Sequence, residues 1–116
     1  MLTSPISITI AGTAHSLSRI NNDNFTAVYL KKAVGLELLL TIRHAYEGKP
    51  GKGQMERHNM DLKQTTWDVD GNPVINQSYH VVRCPRGVDP LTVVDIEKGL
   101  NSFSTTNVAA IVGWES

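Results

Sequence analysis

The sequence has almost no cysteine: Cys84 is the single thiol among 116 residues. A lone thiol cannot form an intramolecular disulfide, which argues against a small secreted scaffold held together by disulfides. We interpret Cys84 as a small buried apolar residue at the end of a strand. The beginning of the chain also lacks the charged start and continuous apolar stretch of a signal peptide. We therefore expect the protein to fold in a reducing cytoplasm.

Net charge and long apolar runs are also missing. The 11 Lys and Arg balance the 11 Asp and Glu, so no global positive field indicates nucleic acid or an anionic membrane as partner. No apolar run approaches the roughly 20 residues of a membrane-spanning helix. The charge is nevertheless uneven along the chain. Residues 43–86 carry seven basic and five acidic side chains, whereas residues 87–116 carry only Lys98 against four acidic ones.

Most of the chain alternates between apolar and polar residues, which is the period of a half-buried β-strand. The segment Val34–Glu47 is rich in leucine and could be helical by propensity. Its alternation and the glycine-rich loop Gly48–Gly53 that follows favour a strand. Turn residues separate the other alternating segments. The predicted strands cover residues 6–10, 15–20, 25–32, 34–47, 55–67 and 74–84, the first two forming a hairpin at about 5–20 and the rest a main sheet at about 25–85.

The period changes after Pro85. Asp89 and Pro90 predict a helix N-terminus, and apolar residues then recur at helical spacing. The polar stretch 101–106 predicts a break, with Thr106 or Asn107 capping a second helix that ends at Gly113. We therefore predict helices at about 89–103 and 106–113. Strands first and helices last, with no linker, indicate one α+β domain over residues 1–116.

Motifs for catalysis and metal binding are weak. Gly48–Gly53 is not followed by Lys and Ser or Thr, so it is a hairpin loop rather than a phosphate loop. Asp68-Val-Asp-Gly resembles a phosphatase nucleophile loop and the opening of a calcium loop, but its surroundings favour a plain turn. His44, His58 and His80 fall on one face of three strands without the spacing of a familiar zinc site. We expect no cofactor, no metal, no small-molecule substrate and no catalytic residues.

The polar face of the main sheet is the remaining signal. Arginine and lysine side chains bind phosphates. Amide and hydroxyl side chains form hydrogen bonds with base edges and 2′-hydroxyls, and a tyrosine ring offers a stacking surface. A plain solvated face is about equally consistent with this pattern. The residues predicted to share this face, and to bind RNA if it is an interface, are Thr41, Arg43, Arg57, Asn59, Lys63, Thr65, Gln77, Tyr79 and Arg83.

Taken in order, these features resemble the coat proteins of the small single-stranded RNA bacteriophages, the levivirus group. The resemblance rests on Ser18–Asn24, Glu56–Leu62, Val81–Pro85, the C-terminal helical region and Gly113–Ser116, and it covers Ile6 to Ser116. It implies an N-terminal hairpin, a five-stranded antiparallel sheet and two terminal helices. It also implies an intertwined homodimer, in which two sheets join and the helices of each subunit cover the apolar face of its partner.

The resemblance further implies an icosahedral virion shell, assembled in the bacterial host cytoplasm, with the hairpin outside and the polar face turned towards the genomic RNA. In that family an RNA hairpin bound to this face also represses translation of the replicase. Asp61 departs from the family pattern, because an acidic group repels phosphates. The loop Asp68, Asp70, Gly71, Asn72 and Pro73 matches the one that lines the fivefold and quasi-sixfold axes.

The residues themselves also favour dimerisation, because two short helices cover an apolar sheet face of this size poorly. An interlocking second copy would cover it through an interface above about 2,000 Å². Two other functions remain open. One is a cellular RNA-binding regulatory homodimer, and the other is a small enzyme or carrier with an apolar pocket between sheet and helices.

Overall fold

The computed structural model describes residues 2–115 and contains six strands followed by one helix. All six strands are antiparallel and follow chain order in one sheet. The elements are β1 (Ile6–Ile10), β2 (Thr13–Asn22), β3 (Thr26–Ala33), β4 (Leu36–Glu47), β5 (Met55–Trp67), β6 (Pro73–Pro85) and α1 (Leu91–Val112).

Local turn chemistry explains this up-and-down order. Ala11 and Gly12 form a two-residue loop with φ of 51° and 80°, the positive pair of a type I′ hairpin turn. Between β2 and β3, Asp23 Oδ1 accepts hydrogen bonds from the amides of Phe25 and Thr26 at 2.8 and 2.7 Å. At both turns the local residues favour a reversal of chain direction, so that each strand pairs with the strand before it.

The expectation of a five-stranded main sheet with a separate hairpin needs correction. β2 is ten residues long, so its first half pairs with β1 and its second half with β3. A bulge between Arg19 and Asn21 shifts the register within β2. A bulge bends a strand and increases its twist. The hairpin and the main strands consequently form one six-stranded sheet.

The core of the single chain is small and lies under the N-terminal hairpin. Leu17, Tyr29 and Leu38 are essentially fully buried, on β2, β3 and β4. Three isoleucines of β1 pack against this core, because strand alternation places their side chains on one side: Ile6, Ile8 and Ile10. Leu40 and Ile42 extend the same apolar face towards β5.

The two predicted helices are a single helix. The predicted break at residues 101–106 is wrong because its polar side chains bond back to the preceding helical turn. Thr105 Oγ1 donates to the Asn101 carbonyl at 2.9 Å, and Thr106 Oγ1 donates to the Ser102 carbonyl at 3.2 Å. Hydroxyls that bond to the i−4 carbonyl are compatible with a continuous helix. At the other end, the N-cap residue is Pro90 rather than the predicted Asp89, and Asp89 Oδ1 accepts from the Leu91 amide at 3.0 Å.

Helix α1 leaves its own sheet largely uncovered. None of its residues is buried, and its large apolar side chains are exposed, Phe103 at 57%. The radius of gyration of the Cα atoms is 16.7 Å, above the roughly 13 Å of a compact domain of this length. The described residues 2–115 include no helix long and apolar enough to cross a membrane.

Candidate nucleic-acid interface

The register of β4, β5 and β6 brings the predicted polar residues to one face. Thr41 pairs with Asp61, which pairs with Tyr79, and this row lies at the middle of the three strands. Because side chains alternate along each strand, positions two residues away share that face. The structure places all nine predicted residues there: Thr41, Arg43, Arg57, Asn59, Lys63, Thr65, Gln77, Tyr79 and Arg83.

A shallow polar cavity of about 150 Å³ lies at the centre of this face. The Tyr79 ring beside it is 63% exposed and offers a flat aromatic surface, whereas Thr41 lies buried at the base. Amide, hydroxyl, guanidinium and carboxylate groups are thus brought together on one open surface. The lining residues are Thr41, Arg43, Asn59, Asp61, Gln77 and Tyr79.

The four cations of the polar face differ in their partners. Arg83 Nε donates to Glu47 Oε1 at 2.7 Å, so its charge is partly compensated. Arg57 lies directly opposite Arg83 in the β5–β6 register. Within residues 2–115, the side chains of Arg43, Arg57 and Lys63 make no hydrogen bond or ion pair. Three cations are therefore available to an anionic ligand.

Asp61 lies on the polar face, as its strand alternation predicts. Its two carboxylate oxygens accept from Gln77 Nε2 at 2.9 and 2.8 Å. The amide of Gln77, a predicted RNA contact, is therefore engaged within the protein. No cation lies within ion-pair distance of Asp61 in the described part of the chain.

The loop between β5 and β6 is closed by Asp68. Its Oδ1 accepts from the amides of Asp70 and Asn72, both at 2.9 Å, and Gly71 adopts a φ of 81°. The loop is thus a tight turn organised by one carboxylate, and Pro73 begins β6 directly after it.

The opposite face of the sheet carries an open groove. The groove has a volume of about 740 Å³ and lies between the β2–β3 connection and strands β3 to β5. Tyr29, Ile42 and Met60 contribute its apolar wall. The α1 helix of the same chain contacts the sheet chiefly at β6, where His80 Nδ1 bonds to Glu97 Oε1.

Next to this groove, four polar side chains form a cluster that the strand register brings together. His44 Nδ1 lies 2.8 Å from His58 Nδ1, and His58 Nε2 lies 3.2 Å from Glu56 Oε2. Cys84 Sγ lies 3.9 Å from the same Glu56 oxygen. Burial and the neighbouring Glu56 carboxylate raise the pKa of the Cys84 thiol. The detectable signal in the sequence is Glu-x-His on β5, and the strand register adds Cys84 opposite Glu56 on β6.

Solved structures of phage particles share this fold. The coat protein of bacteriophage EMS014 matches with a TM-score of 0.70 at 14% identity, over 87% of this chain and 72% of that one. A virus-like particle of bacteriophage AVE019 matches with a TM-score of 0.59 at 9% identity, over 90% of this chain and 88% of that one. The antiparallel sheet followed by a C-terminal helix is therefore a phage coat protein fold.

The family follows from the sequence itself. Residues 3–85 match the family model described as phage phiCb5, coat protein, and they make up most of the chain. The chain belongs to this family of phage coat proteins, which are of the RNA-phage type. Its role is structural rather than enzymatic, and its place is the capsid of the virion. No curated protein sequence is significantly similar to it.

Proposed function

We propose that this coat protein forms homodimers that assemble into an icosahedral shell and bind single-stranded viral RNA on the polar face of the sheet. The observation that carries the RNA proposal is the set of unpaired cations on that face: Arg43, Arg57 and Lys63. Neutral net charge is no obstacle, because phosphate binding depends on local rather than total charge.

The chemistry of the polar face suits single-stranded RNA. Unpaired guanidinium and ammonium groups bind phosphate oxygens, and an exposed tyrosine ring stacks on an unpaired base. Asn59 and Thr41 offer hydrogen-bonding groups at the central cavity for base edges or 2′-hydroxyls. The same cavity would hold a base of a viral RNA hairpin, and translational repression of the replicase would follow from such specific binding.

The RNA proposal is tested by substituting the unpaired cations. Arg43→Ala and Arg57→Ala should each weaken RNA binding and reduce its salt dependence. Each lost phosphate contact lowers the slope of log affinity against log salt by about 0.7 for single strands. Filter binding at several salt concentrations measures both quantities. Lys98→Ala, which removes a positive charge from exposed helix α1, is the matched control. Unchanged affinity and slope in both arginine variants would assign RNA to another surface.

Dimerisation is supported by two solvent-exposed apolar surfaces, one on helix α1 and one in the groove of the sheet. Helix α1 exposes a row of large apolar side chains, among them Ile96, Leu100 and Phe103. The sheet presents a groove of about 740 Å³ with an apolar wall, which the helix of the same chain leaves open. Burying both against a second copy removes apolar surface from water, at roughly 25 cal/mol per Å². Large exposed apolar patches on a folded chain mark such interfaces.

The free edge of β6 supports the same conclusion. β6 is 13 residues long, and within the described residues its outer edge pairs with no strand. A long unpaired edge is a template for strand addition by another chain. Antiparallel pairing of β6 with its copy across a twofold axis would join two sheets into one and keep both polar faces on the same side.

Leu100→Asp tests the dimer. A charged side chain placed in an apolar interface should shift the protein from dimers to monomers of 12.7 kDa, as measured by sedimentation velocity. Asn101→Asp introduces the same charge at the adjacent exposed polar position and should leave dimers intact. Monomeric wild-type protein, or a dimeric Leu100→Asp variant, would contradict the proposal.

Shell assembly separates this function from a cellular RNA-binding dimer. The proposal predicts closed particles by electron microscopy of the expressed protein, with RNA extractable from them. The β5–β6 turn at Asp68–Asn72 would line the symmetry axes of the shell. The hydrogen bonds of Asp68 within this turn keep the loop short and compact there. Stable RNA-binding dimers that never form particles would instead favour the regulatory function.

A further inference from the structure

The side-chain cluster beneath the β4–β5 loop has the donor set of a transition-metal site. Glu56, His58 and Cys84 each offer one ligand atom, and these atoms all lie within 4.8 Å of one another. They come from neighbouring strands, since Glu56 and His58 are two residues apart on β5 and Cys84 is the β6 partner of Glu56. The strand register therefore holds all three on the same face without any loop.

We propose that Glu56 Oε2, His58 Nε2 and Cys84 Sγ form a Zn²⁺ site, with water as the fourth ligand. Carboxylate, imidazole and thiolate are the three ligand types that zinc uses in proteins. This inference does not depend on the RNA or dimer proposals, because all three ligands belong to one chain.

The distances from Glu56 Oε2 to the other two donor atoms fit tetrahedral coordination. Zinc bonds of about 2.0–2.1 Å to nitrogen and oxygen place those two ligands about 3.3 Å apart at the tetrahedral angle. The observed separation of His58 Nε2 and Glu56 Oε2 is 3.2 Å. With a zinc–sulfur bond of about 2.3 Å, the expected oxygen–sulfur separation is about 3.6 Å. The observed separation of Glu56 Oε2 and Cys84 Sγ is 3.9 Å. Small side-chain shifts would complete the site.

His44 supplies the outer hydrogen bond that metal-bound histidines require. When His58 binds through Nε2, its Nδ1 carries the proton and donates to His44 Nδ1, 2.8 Å away. This contact fixes the ring orientation and tautomer of His58. Binding would also release the Cys84 thiol proton to solvent, because the thiolate is the ligand form.

A bound ion would link β5 to β6 at the end of the sheet that carries the β4–β5 loop, residues 48–54. The same end is held by Arg86, whose Nη1 donates to Gln54 Oε1 at 2.7 Å and whose guanidinium lies 4.6 Å from the centroid of the Tyr46 ring. A metal bridge next to these contacts would stabilise the folded state over the unfolded chain, which lacks a preformed site.

Titration of the untagged, metal-stripped full-length protein with Co²⁺ and then Zn²⁺ tests the proposal. Co²⁺ should bind at one ion per chain and produce the near-ultraviolet charge-transfer absorption of a cobalt–thiolate bond. Zn²⁺ should displace it and raise the thermal unfolding midpoint. Cys84→Ser should abolish the absorption, and His44→Ala should weaken binding roughly 10- to 100-fold, as outer-shell changes do.

Two further variants keep the result independent of any folding defect at the buried cysteine. Glu56→Gln and His58→Gln preserve side-chain size and should each weaken Zn²⁺ binding at least tenfold, with the circular dichroism spectrum unchanged. His80→Gln alters a histidine on the same face outside the cluster and should bind normally. Absence of saturable binding, absence of the thiolate band, or full affinity in both Glu56→Gln and His58→Gln would overturn the assignment.

Discussion

The side-chain amide of Gln77 bonds to both carboxylate oxygens of Asp61, across the β5–β6 pair at the centre of the polar face. The two residues are diagonal neighbours, since Asp61 pairs directly with Tyr79. A negative charge thus lies among the cations proposed to bind RNA, held in place by an amide that carries no compensating charge. Asp61 therefore limits the electrostatic attraction of this face for phosphates.

Asp61→Asn should strengthen RNA binding about three- to tenfold at moderate salt. The change removes a repulsion worth on the order of 1 kcal/mol near a solvated surface and preserves the side-chain shape. The gain should shrink as salt is raised, because salt screens exposed charges. Filter binding measures it, with Asp95→Asn on α1 as the control for net charge. Equal or weaker binding by Asp61→Asn would show that RNA phosphates do not approach this residue.

Arg57→Ala should reduce RNA affinity more than Arg83→Ala, although the two arginines face each other across β5 and β6. The Arg83 guanidinium is already bonded to Glu47, whereas Arg57 has no partner in residues 2–115. We expect the salt-dependence slope to fall by about 0.7 for Arg57→Ala. Glu47→Gln should free Arg83 and increase affinity. Equal losses for both arginine variants would mean that the Glu47 pair opens on RNA binding.

Thr106→Ala should raise the free energy of unfolding by up to about 0.5 kcal/mol. Thr106 lies inside α1 and its hydroxyl bonds to the Ser102 carbonyl, and alanine has the higher helix propensity. If Thr106 instead capped a second helix, the same change would cost about 1 kcal/mol. Urea unfolding of the protein distinguishes the two signs. Thr92→Ala, in the first turn of α1, is the reference substitution.

Asp68→Ala should lower the free energy of unfolding by about 1–2 kcal/mol, because two backbone amides lose their acceptor in the β5–β6 turn. Asp70→Ala removes a carboxylate from the same turn that accepts no hydrogen bond within residues 2–115 and should change stability by less than about 0.5 kcal/mol. Denaturant unfolding of both variants makes the comparison. A similar cost for both would assign the effect to loop charge rather than to the amide bonds.

Strand alternation in the sequence is enough to assign the strands and their faces. The leucine-rich segment that forms β4 shows this, because its period of two correctly outweighs helix propensity. Side chains two residues apart lie on one side of a strand whatever its neighbours are. The placement of Arg57, Asn59 and Lys63 on one side of β5 therefore follows from the sequence, as does the position of Asp61 among them.

Only the tertiary structure decided how these strands meet and where the helix goes. The six-stranded sheet depends on the long β2 and its bulge, and the single helix depends on side chains that bond backwards to carbonyls at 101 and 102. The Arg83–Glu47 and Asp61–Gln77 contacts, and the donor cluster at Cys84, each require a specific register between strands. Alternation within a strand is local and visible in the sequence. Register between strands is set by turns, bulges and packing over the whole sheet, so it appears only in the folded chain.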